Sequence, residues 1–244
     1  MEIRKNEIDS RVLGRPVLDL IDLSDQDDLL SIEREYIAVY DPAYVLGKAE
    51  IENLSLIHRL EDAGFRFVET QLRLTFTLKQ PFDASGLYDF EEVVNEQALE
   101  EVLAIVRKTF TDDRWLIDPS FGDARTLSGK RYEAYVYQSF ERPDERVYRL
   151  AERQSRKTLA MRTHRHLGNG AALMLLGGVH PDYKGAGIAP LTSFHEYNEL
   201  LRQGITRITT HVSARNYAIL NLEMSALKYR VAQTFVVLRK VYPA

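Results

Sequence analysis

The stretch Val179-His180-Pro181-Asp182-Tyr183-Lys184-Gly185-Ala186-Gly187-Ile188-Ala189 joins a predicted strand to a predicted helix. The apolar run Ala171–Val179 precedes the loop, and apolar residues then recur at helical spacing: Ile188, Leu191, Phe194 and Leu201. Unsatisfied backbone N–H groups and the helix dipole favour an anion at such a helix start. Gly185 and Gly187 let the backbone approach the ligand, and Lys184 adds a positive charge. The stretch therefore predicts a phosphate-binding loop.

Two common phosphate-binding patterns do not fit this loop. A P-loop has four residues between its glycines and continues with Lys-Ser/Thr, which is absent here. A dinucleotide-binding fingerprint has a third glycine and lies early in a βαβ unit, whereas this loop follows strands that we predict to be antiparallel. An ordinary strand-to-helix turn with two glycines remains as the alternative.

The loop resembles the pyrophosphate loop of the GNAT acyltransferases, which reads Gln/Arg-x-x-Gly-x-Gly/Ala after a strand ending in Val-x-Pro. Lys184-Gly185-Ala186-Gly187-Ile188-Ala189 fits that pattern with Lys in the first place, and Val179-His180-Pro181 supplies the strand end. The resemblance implies an α/β fold with a mixed, mostly antiparallel sheet flanked by helices. It also implies acyl-CoA as co-substrate.

The composition is typical of a globular protein, with 45% hydrophobic and 28% charged residues among 244. A net charge of −4 gives no electrostatic reason to expect a nucleic-acid partner. The absence of cysteine excludes disulfides, a thiol nucleophile and thiolate metal sites. No apolar stretch approaches the roughly 18 residues of a membrane span, and the N-terminus lacks a signal-peptide core, so we expect a cytoplasmic protein without a membrane partner.

The second half of the chain follows the GNAT order of elements. Periodicity and turn residues predict helices at about 97–110 and 128–140, strands at 147–151, 158–167 and 171–179, the loop helix, a strand at 205–212, a helix at 216–227 and a strand at 231–241. The resemblance covers roughly Gln97 to Tyr242. It also implies an opening strand, for which Phe65–Leu78 is the candidate.

The first half reads as a separate α/β segment. It has a possible strand at Val17–Ile21, a helical pattern at about 53–63 and the β-rich stretch Phe65–Leu78. We divide the chain into residues 1–90 and a GNAT-like catalytic domain at 91–244. Because Leu60–Thr70 echoes Ala226–Thr234, the N-terminal segment is a candidate degenerate GNAT-like half, although such echoes also arise by chance.

Within the superfamily, the chain looks most like nucleotide-sugar N-acyltransferases such as TDP-fucosamine acetyltransferase. The extra N-terminal segment carries part of that likeness, and the rest lies around the two opening helices, at Phe110, Arg114, Asp118-Pro119, Tyr132 and Tyr135. The likeness implies a dTDP- or UDP-linked amino-deoxysugar as acceptor, for surface-polysaccharide synthesis. It also implies a homodimer.

The GNAT resemblance assigns roles around the loop. A backbone N–H at Val179 or its neighbour would polarise the thioester carbonyl, and pantetheine amides would pair with the strand edge Leu176–Val179, including Gly177. The pyrophosphate would contact the loop residues Lys184, Gly185, Ala186, Gly187, Ile188 and Ala189. Asn216 would contact the pantetheine arm, although capping of the following helix is an equal alternative.

The usual general acid of the family is missing. Many members carry a Tyr about seven residues after that Asn, where this chain has Glu223. Tyr217 or Tyr229 could replace it, or the CoA thiolate could leave without an acid. His211 and His180 are candidates for the base that takes the proton of the attacking ammonium, since histidine titrates near neutrality. A structural role is the alternative for each.

Six polar or aromatic positions have open assignments. His164 and His166 share a strand face and could bind a metal, but without a third ligand we expect a solvated face and no metal. Arg162 and Arg165, with Tyr132 and Tyr135, could meet a nucleotide. Solvated arginines and helix-packing tyrosines are the alternative.

These patterns predict an acyl-CoA-dependent N-acyltransferase, in which an amine attacks the thioester directly. The protein then supplies positioning and charge stabilisation. The acyl group could be acetyl or longer. Two rival functions remain open: acetylation of a protein or peptide amine, and a non-catalytic acyl-CoA sensor, which the missing Tyr favours.

Overall fold

The computed structural model describes residues 1–84, 86–110, 118 and 124–243. Within them the strands are β1 Glu2–Lys5, β2 Val17–Ile21, β3 Tyr44–Glu50, β4 Arg66–Thr77, β5 Tyr88–Glu92, β6 Glu145–Glu152, β7 Thr158–Gly168, β8 Ala171–Val179, β9 Arg207–Ser213 and β10 Arg230–Val241. The helices are α1 Glu7–Leu13, α2 Leu29–Tyr40, α3 Leu54–Asp62, α4 Glu96–Thr109, α5 Ala124–Glu141, α6 Ile188–Arg202 and α7 Tyr217–Asn221. No helix of the described residues is long and apolar enough to cross a membrane.

All ten strands form one sheet in the order β1-β2-β3-β10-β4-β9-β8-β7-β6-β5. Two pairs, β2–β3 and β8–β9, are parallel, and the other pairs are antiparallel. The expected mixed, mostly antiparallel α/β fold is therefore confirmed.

The sheet has the same pairing pattern on both sides of its centre. Reading outwards from the central pair, β10–β3–β2–β1 and β4–β9–β8–β7 each contain an antiparallel, a parallel and an antiparallel pairing. The two strands that carry the repeated sequence, β4 and β10, are neighbours at this centre. Each lies beside a strand of the opposite half, so the two halves exchange their last strands.

The prediction that Phe65–Leu78 supplies the opening strand of the second half is wrong. The opening strand is β5, which pairs with β6 at the sheet edge, whereas Arg66–Thr77 pairs with β9 and β10. Apolar side chains at Leu72, Leu74 and Phe76 of β4 pack into the core beneath α6, as their alternation predicts. That alternation specifies which face is buried but not which strand is the neighbour.

Helices cover both faces of the sheet. Helices α4 and α5 pack on one face of the second half around Val102, Val106 and Met161. Helix α6 packs on the opposite face, where Tyr197 and Leu200 belong to the same buried cluster as Ile208 of β9. The helix expected at 216–227 ends at Asn221, and a π-helical turn continues it from Leu222 to Ala226.

Candidate active site

Strands β8 and β9 pair over only four residues and then separate. The parallel register runs from Ala171–Arg207 to Met174–Thr210, where the Thr210 hydroxyl still donates to the Met174 carbonyl at 3.3 Å. Beyond that point β8 continues to Val179 with β7 on one side only. A register shift that leaves Leu175 without a partner on β7 coincides with the separation.

Beyond the paired residues, a gap separates residues 175–179 of β8 from residues 211–213 of β9. This part of β8 presents backbone groups to the gap. His180 N–H donates to the Leu159 carbonyl of β7 at 2.8 Å. Because backbone groups of alternate residues point to opposite edges of a strand, Gly177 and Val179 direct theirs away from β7. The Val179 carbonyl accordingly accepts from the Thr109 hydroxyl at the end of α4, at 3.1 Å. The Val179 N–H thus faces the side expected for the thioester carbonyl.

The predicted phosphate loop leads from this gap into α6. Gly185 and Gly187 have φ of 85° and 77°, a left-handed conformation that glycine adopts without strain. Residues 184–187 are exposed, and the N-cap residue Gly187 makes no side-chain capping hydrogen bond. Within the part of the chain that the structure describes, the first backbone N–H groups of α6 thus have no side-chain acceptor, as an anion site requires.

The corresponding loop of the first half, between β2 and α2, has the opposite character. It contains Asp22, Asp25, Asp27 and Asp28. The Asp28 carboxylate accepts from the N–H groups of Leu30 and Ser31, both at 3.2 Å, and so caps α2. A capped, acidic helix start repels an anion, so of these two loops the one before α6 is the better suited to a phosphate group.

Two neighbouring glycines of β8 allow close contacts on both faces of the strand. A Cβ on Gly178 would lie 3.0 Å from the Phe110 ring on the α4 side. A Cβ on Gly177 would collide with the Arg162 guanidinium on the α6 side. Arg162 lies across from Gly177 in the β7–β8 register, so its head group covers the strand where the gap opens.

Arg162 belongs to a buried polar cluster on the α6 side of the gap. Its Nε donates to Glu196 of α6 at 2.5 Å, and His164 Nδ1 lies 2.9 Å from the other Glu196 oxygen. His164 Nε2 is 3.2 Å from His166 Nε2, which confirms their shared face. The expectation of a solvated face was wrong for His164, and of the two alternatives for Arg162 the solvated one fails, because both residues are buried against α6. No group of three or more potential metal ligands occurs among the described residues.

Glu223 lies in the π-helical turn and is also buried, with 2% of its surface exposed. Its Oε2 has no hydrogen-bond partner among the described residues. Burial raises the pKa of this carboxyl to about 7; Glu196 acts in the same direction and Arg162 in the opposite one. Sequence reasoning identified the position but not its burial.

The opposite sheet face carries His211. His211 lies on β9, on the side away from α6 and across from Arg73 of β4, and part of the residue surface is exposed. Loss of surrounding water lowers the pKa of His211 to about 4, and the positive charges of Lys48 and Arg73 act in the same direction. His211 is therefore neutral at pH 7.

The other candidate residues occupy varied environments. Asn216 accepts from Ile219 N–H at 3.2 Å and so caps α7, while Tyr217 beside it is 72% exposed. His180 accepts from Asp182 N–H at 3.3 Å at the start of the loop. Tyr229 is buried, and its hydroxyl lies 2.7 Å from that of Tyr197.

The described residues of the nucleotide-sugar likeness contact other side chains of the protein. Tyr132 stacks on Phe110 with ring centroids 4.7 Å apart, and Tyr135 donates to Asp9 of α1 at 3.2 Å. Asp118 accepts from Tyr44 at 2.9 Å. Arg165 donates to Glu145 at 2.6 Å. Arg114 and Pro119 lie outside the described residues.

Comparison with known proteins gives structural matches only. No protein-family model and no curated protein matches the chain. A GCN5-related N-acetyltransferase from Sphaerobacter thermophilus superposes with a TM-score of 0.66 and 15% identity, over 98% of this chain and 75% of that one. A tandem GNAT protein from the clavulanic acid biosynthesis pathway gives 0.66 and 12%, over 95% and 77%. A GCN5-related N-acetyltransferase from Kribbella flavida gives 0.61 and 15%, over 93% and 82%.

These likenesses extend over nearly the whole chain, including the first half, and one of the similar proteins is a tandem GNAT. The separated parallel strands, the loop with two left-handed glycines and the uncapped helix all lie in the half that matches the GNAT order. The chain therefore has the GNAT fold.

Proposed function

We propose that this protein is an acyl-CoA-dependent N-acyltransferase. The observation that carries the proposal is the open edge of β8, which leads directly into an uncapped, glycine-bounded helix start. A pantetheine arm can add to that edge as a strand would, while the helix start holds the pyrophosphate. An arm that begins at the loop and runs back along β8 reaches Gly177 before the gap closes at Met174.

The acceptor in this proposal is an amino-deoxysugar linked to a nucleoside diphosphate. Support comes from the cationic side chains of Lys48 and Arg73 close to His211, on the face opposite α6. Positive charge beside the amine suits a phosphate-bearing acceptor better than a basic peptide. The neutral His211 ring can accept a proton from the attacking amine. The amide product would serve surface-polysaccharide synthesis.

Thiol release tests the proposal, because a chain without cysteine gives no background with a thiol reagent. The purified protein is mixed with acetyl-CoA or longer acyl-CoAs and a panel of dTDP- and UDP-linked amino sugars, with basic peptides as controls. We expect release that depends on an amino sugar. Release only with peptides would show that the acceptor is a peptide amine and not an amino sugar. CoA binding without any release would favour a sensor.

A further inference from the structure

Three ionisable groups meet under the gap between β8 and β9. Arg162 comes from β7, Glu196 from α6 and Glu223 from the turn after α7, and each of them is at most 9% exposed. Glu196 accepts a hydrogen bond from Arg162 and lies beside His164. Glu223, in contrast, has an oxygen without a partner among the described residues. The two carboxyl groups thus have very different surroundings.

Arg162 and His164 both contact Glu196, so Glu223 is the buried carboxyl that has no cation hydrogen-bonded to its Oε2 among the described residues. Glu196 is the ionised one: burial opposes this, but Arg162 and the His164 hydrogen bond together hold the pKa of Glu196 below its ordinary value. The remaining neighbours of Glu223, Tyr197 of α6 and Tyr229, add no positive charge. Burial raises the pKa of Glu223 to about 7, so a large fraction of this carboxyl keeps its proton near pH 7.

The position of this acid follows from its neighbour Arg162. The Arg162 head group covers Gly177 on the α6 side, and Gly177 is the point of β8 that an arm from the loop reaches before the gap closes. Glu223 is near enough to Arg162 for that charge to affect its pKa. It therefore borders the α6 side of the gap, opposite the face that carries His211.

We propose that Glu223 is the general acid that protonates the departing CoA sulfur. This assignment rests on the proposed acyl transfer. The amine nitrogen forms a bond to the acyl carbon, the C–S bond breaks with its electron pair on sulfur, and the Glu223 proton moves to that sulfur to give the free thiol. The amine loses one proton to His211 or water, and Glu223 regains one from solvent, so the cycle balances.

The test compares the wild type with Glu223→Gln, which keeps the shape of the side chain but cannot donate an acidic proton. Because the acceptor is not identified, the probe reaction is acceptor-free hydrolysis of acetyl-CoA, in which water replaces the amine and the same C–S bond breaks. We expect kcat to fall roughly 10²-fold, at the low end for general acids because thiolate is a fair leaving group. The KM for acetyl-CoA should stay within about twofold.

A second substrate separates catalysis from structure. S-phenyl thioacetate releases a more acidic thiol that needs no proton, so wild type and Glu223→Gln should hydrolyse it at similar rates. In the wild type, kcat with acetyl-CoA should fall as pH rises through about 7. This descending limb of the pH–rate profile should be absent in Glu223→Gln. Glu199→Gln, at a surface ion pair of α6, is the matched control and should behave as wild type.

Equal losses with both thioesters, or an unchanged pH limb, would overturn the role of Glu223 while leaving the transferase in place. Carbon-13 NMR of labelled glutamate checks the same point without turnover. The Glu223 resonance, identified by its loss in Glu223→Gln, should shift its titration midpoint with CoA but less with desulfo-CoA. Identical midpoints with the two ligands would also overturn it. Failure to bind CoA at all would instead remove the proposed function, and this assignment with it.

Discussion

Absent side chains shape the gap as much as present ones do. Gly177 and Gly178 are adjacent on β8, so their missing Cβ atoms lie on opposite faces of the strand. Arg162 occupies the space on one face and Phe110 the space on the other. Neither requirement is visible in the sequence, where the pair reads only as the end of an apolar run.

Gly177→Ala is expected to destabilise the protein by about 1–3 kcal/mol, because overpacking forces neighbouring atoms apart. The new methyl group would lie 3.1 Å from Arg162 Cδ and 3.2 Å from its Cζ, and the Glu196 ion pair holds that side chain in place. Urea unfolding followed by circular dichroism measures the change. Gly129→Ala in α5 is the control. A Cβ added at Gly129 would meet no neighbouring atom within 4 Å, so this variant should gain about 0.5–1 kcal/mol of stability from helix propensity. Equal stability of the two variants would contradict the crowding.

His211 shows how neighbouring strands tune one side chain. Its folded pKa of about 4 lies below the ordinary value of about 6.5. The neutral ring is therefore favoured in the folded state. The associated stability is complete above pH 6.5 and is lost as pH falls towards 4.

Arg73→Gln should raise the pKa of His211, because it removes a positive charge from the residue directly across the strand pair. Loss of surrounding water is the larger cause of the lowered pKa, so the His211 midpoint should remain below that of a free histidine. A proton NMR titration of the imidazole signals measures both midpoints. Arg207→Gln, four residues earlier on the same strand, should leave the His211 midpoint unchanged. A downward or absent shift in Arg73→Gln would refute the electrostatic contribution.

At the scale of elements, local patterns predicted the loop well and its surroundings less well. Strand β8 matches its predicted bounds, and α6 begins at Ile188 as the apolar spacing indicates. The π-helical turn that positions Glu223 was predicted as regular helix, because the sequence periodicity of the two differs little over five residues. The separation of β8 from β9 depends on long-range pairing and has no local signal.

Lys184→Ala should raise the KM for acetyl-CoA roughly tenfold, or about 1.4 kcal/mol, if the loop binds pyrophosphate. The KM for S-acetylpantetheine should not change, because that substrate lacks the nucleotide. The effect should shrink at high salt, since Lys184 is exposed. Steady-state thiol release measures both substrates. Lys130→Ala in α5 is the control for an altered net charge. An equal rise with S-acetylpantetheine would place Lys184 away from the pyrophosphate.

At the scale of the whole molecule, the two halves cannot separate without breaking the sheet. Strand β10 closes the second half of the sequence, yet it lies between β3 and β4 of the first half. Its register covers Phe235–Val241 with β3 and Arg230–Arg239 with β4. The sequence echo between the halves indicated a repeat, but the exchange of the two strands follows only from their pairing.

Residues 87–244 expressed alone should therefore fail to form a stable, cooperative fold. The fragment retains β5 but leaves β10 without either neighbour and exposes the edge of β9 that β4 covers. Unpaired edges of this length favour aggregation. Thermal unfolding and gel filtration of the fragment measure the outcome against the full chain, which we expect to unfold in one transition.

Coexpression of residues 1–86 with residues 87–244 as separate chains is the control for that experiment. It restores both neighbours of β10 without the covalent link, so the pair should copurify and regain the single transition of the intact chain. Thiol release should return with it, because the β8–β9 gap then has its supporting sheet. A folded and fully active 87–244 fragment would show instead that the acyl-transfer site needs nothing from the first half, and the proposed acceptor contacts of Lys48 and Arg73 would fall with it.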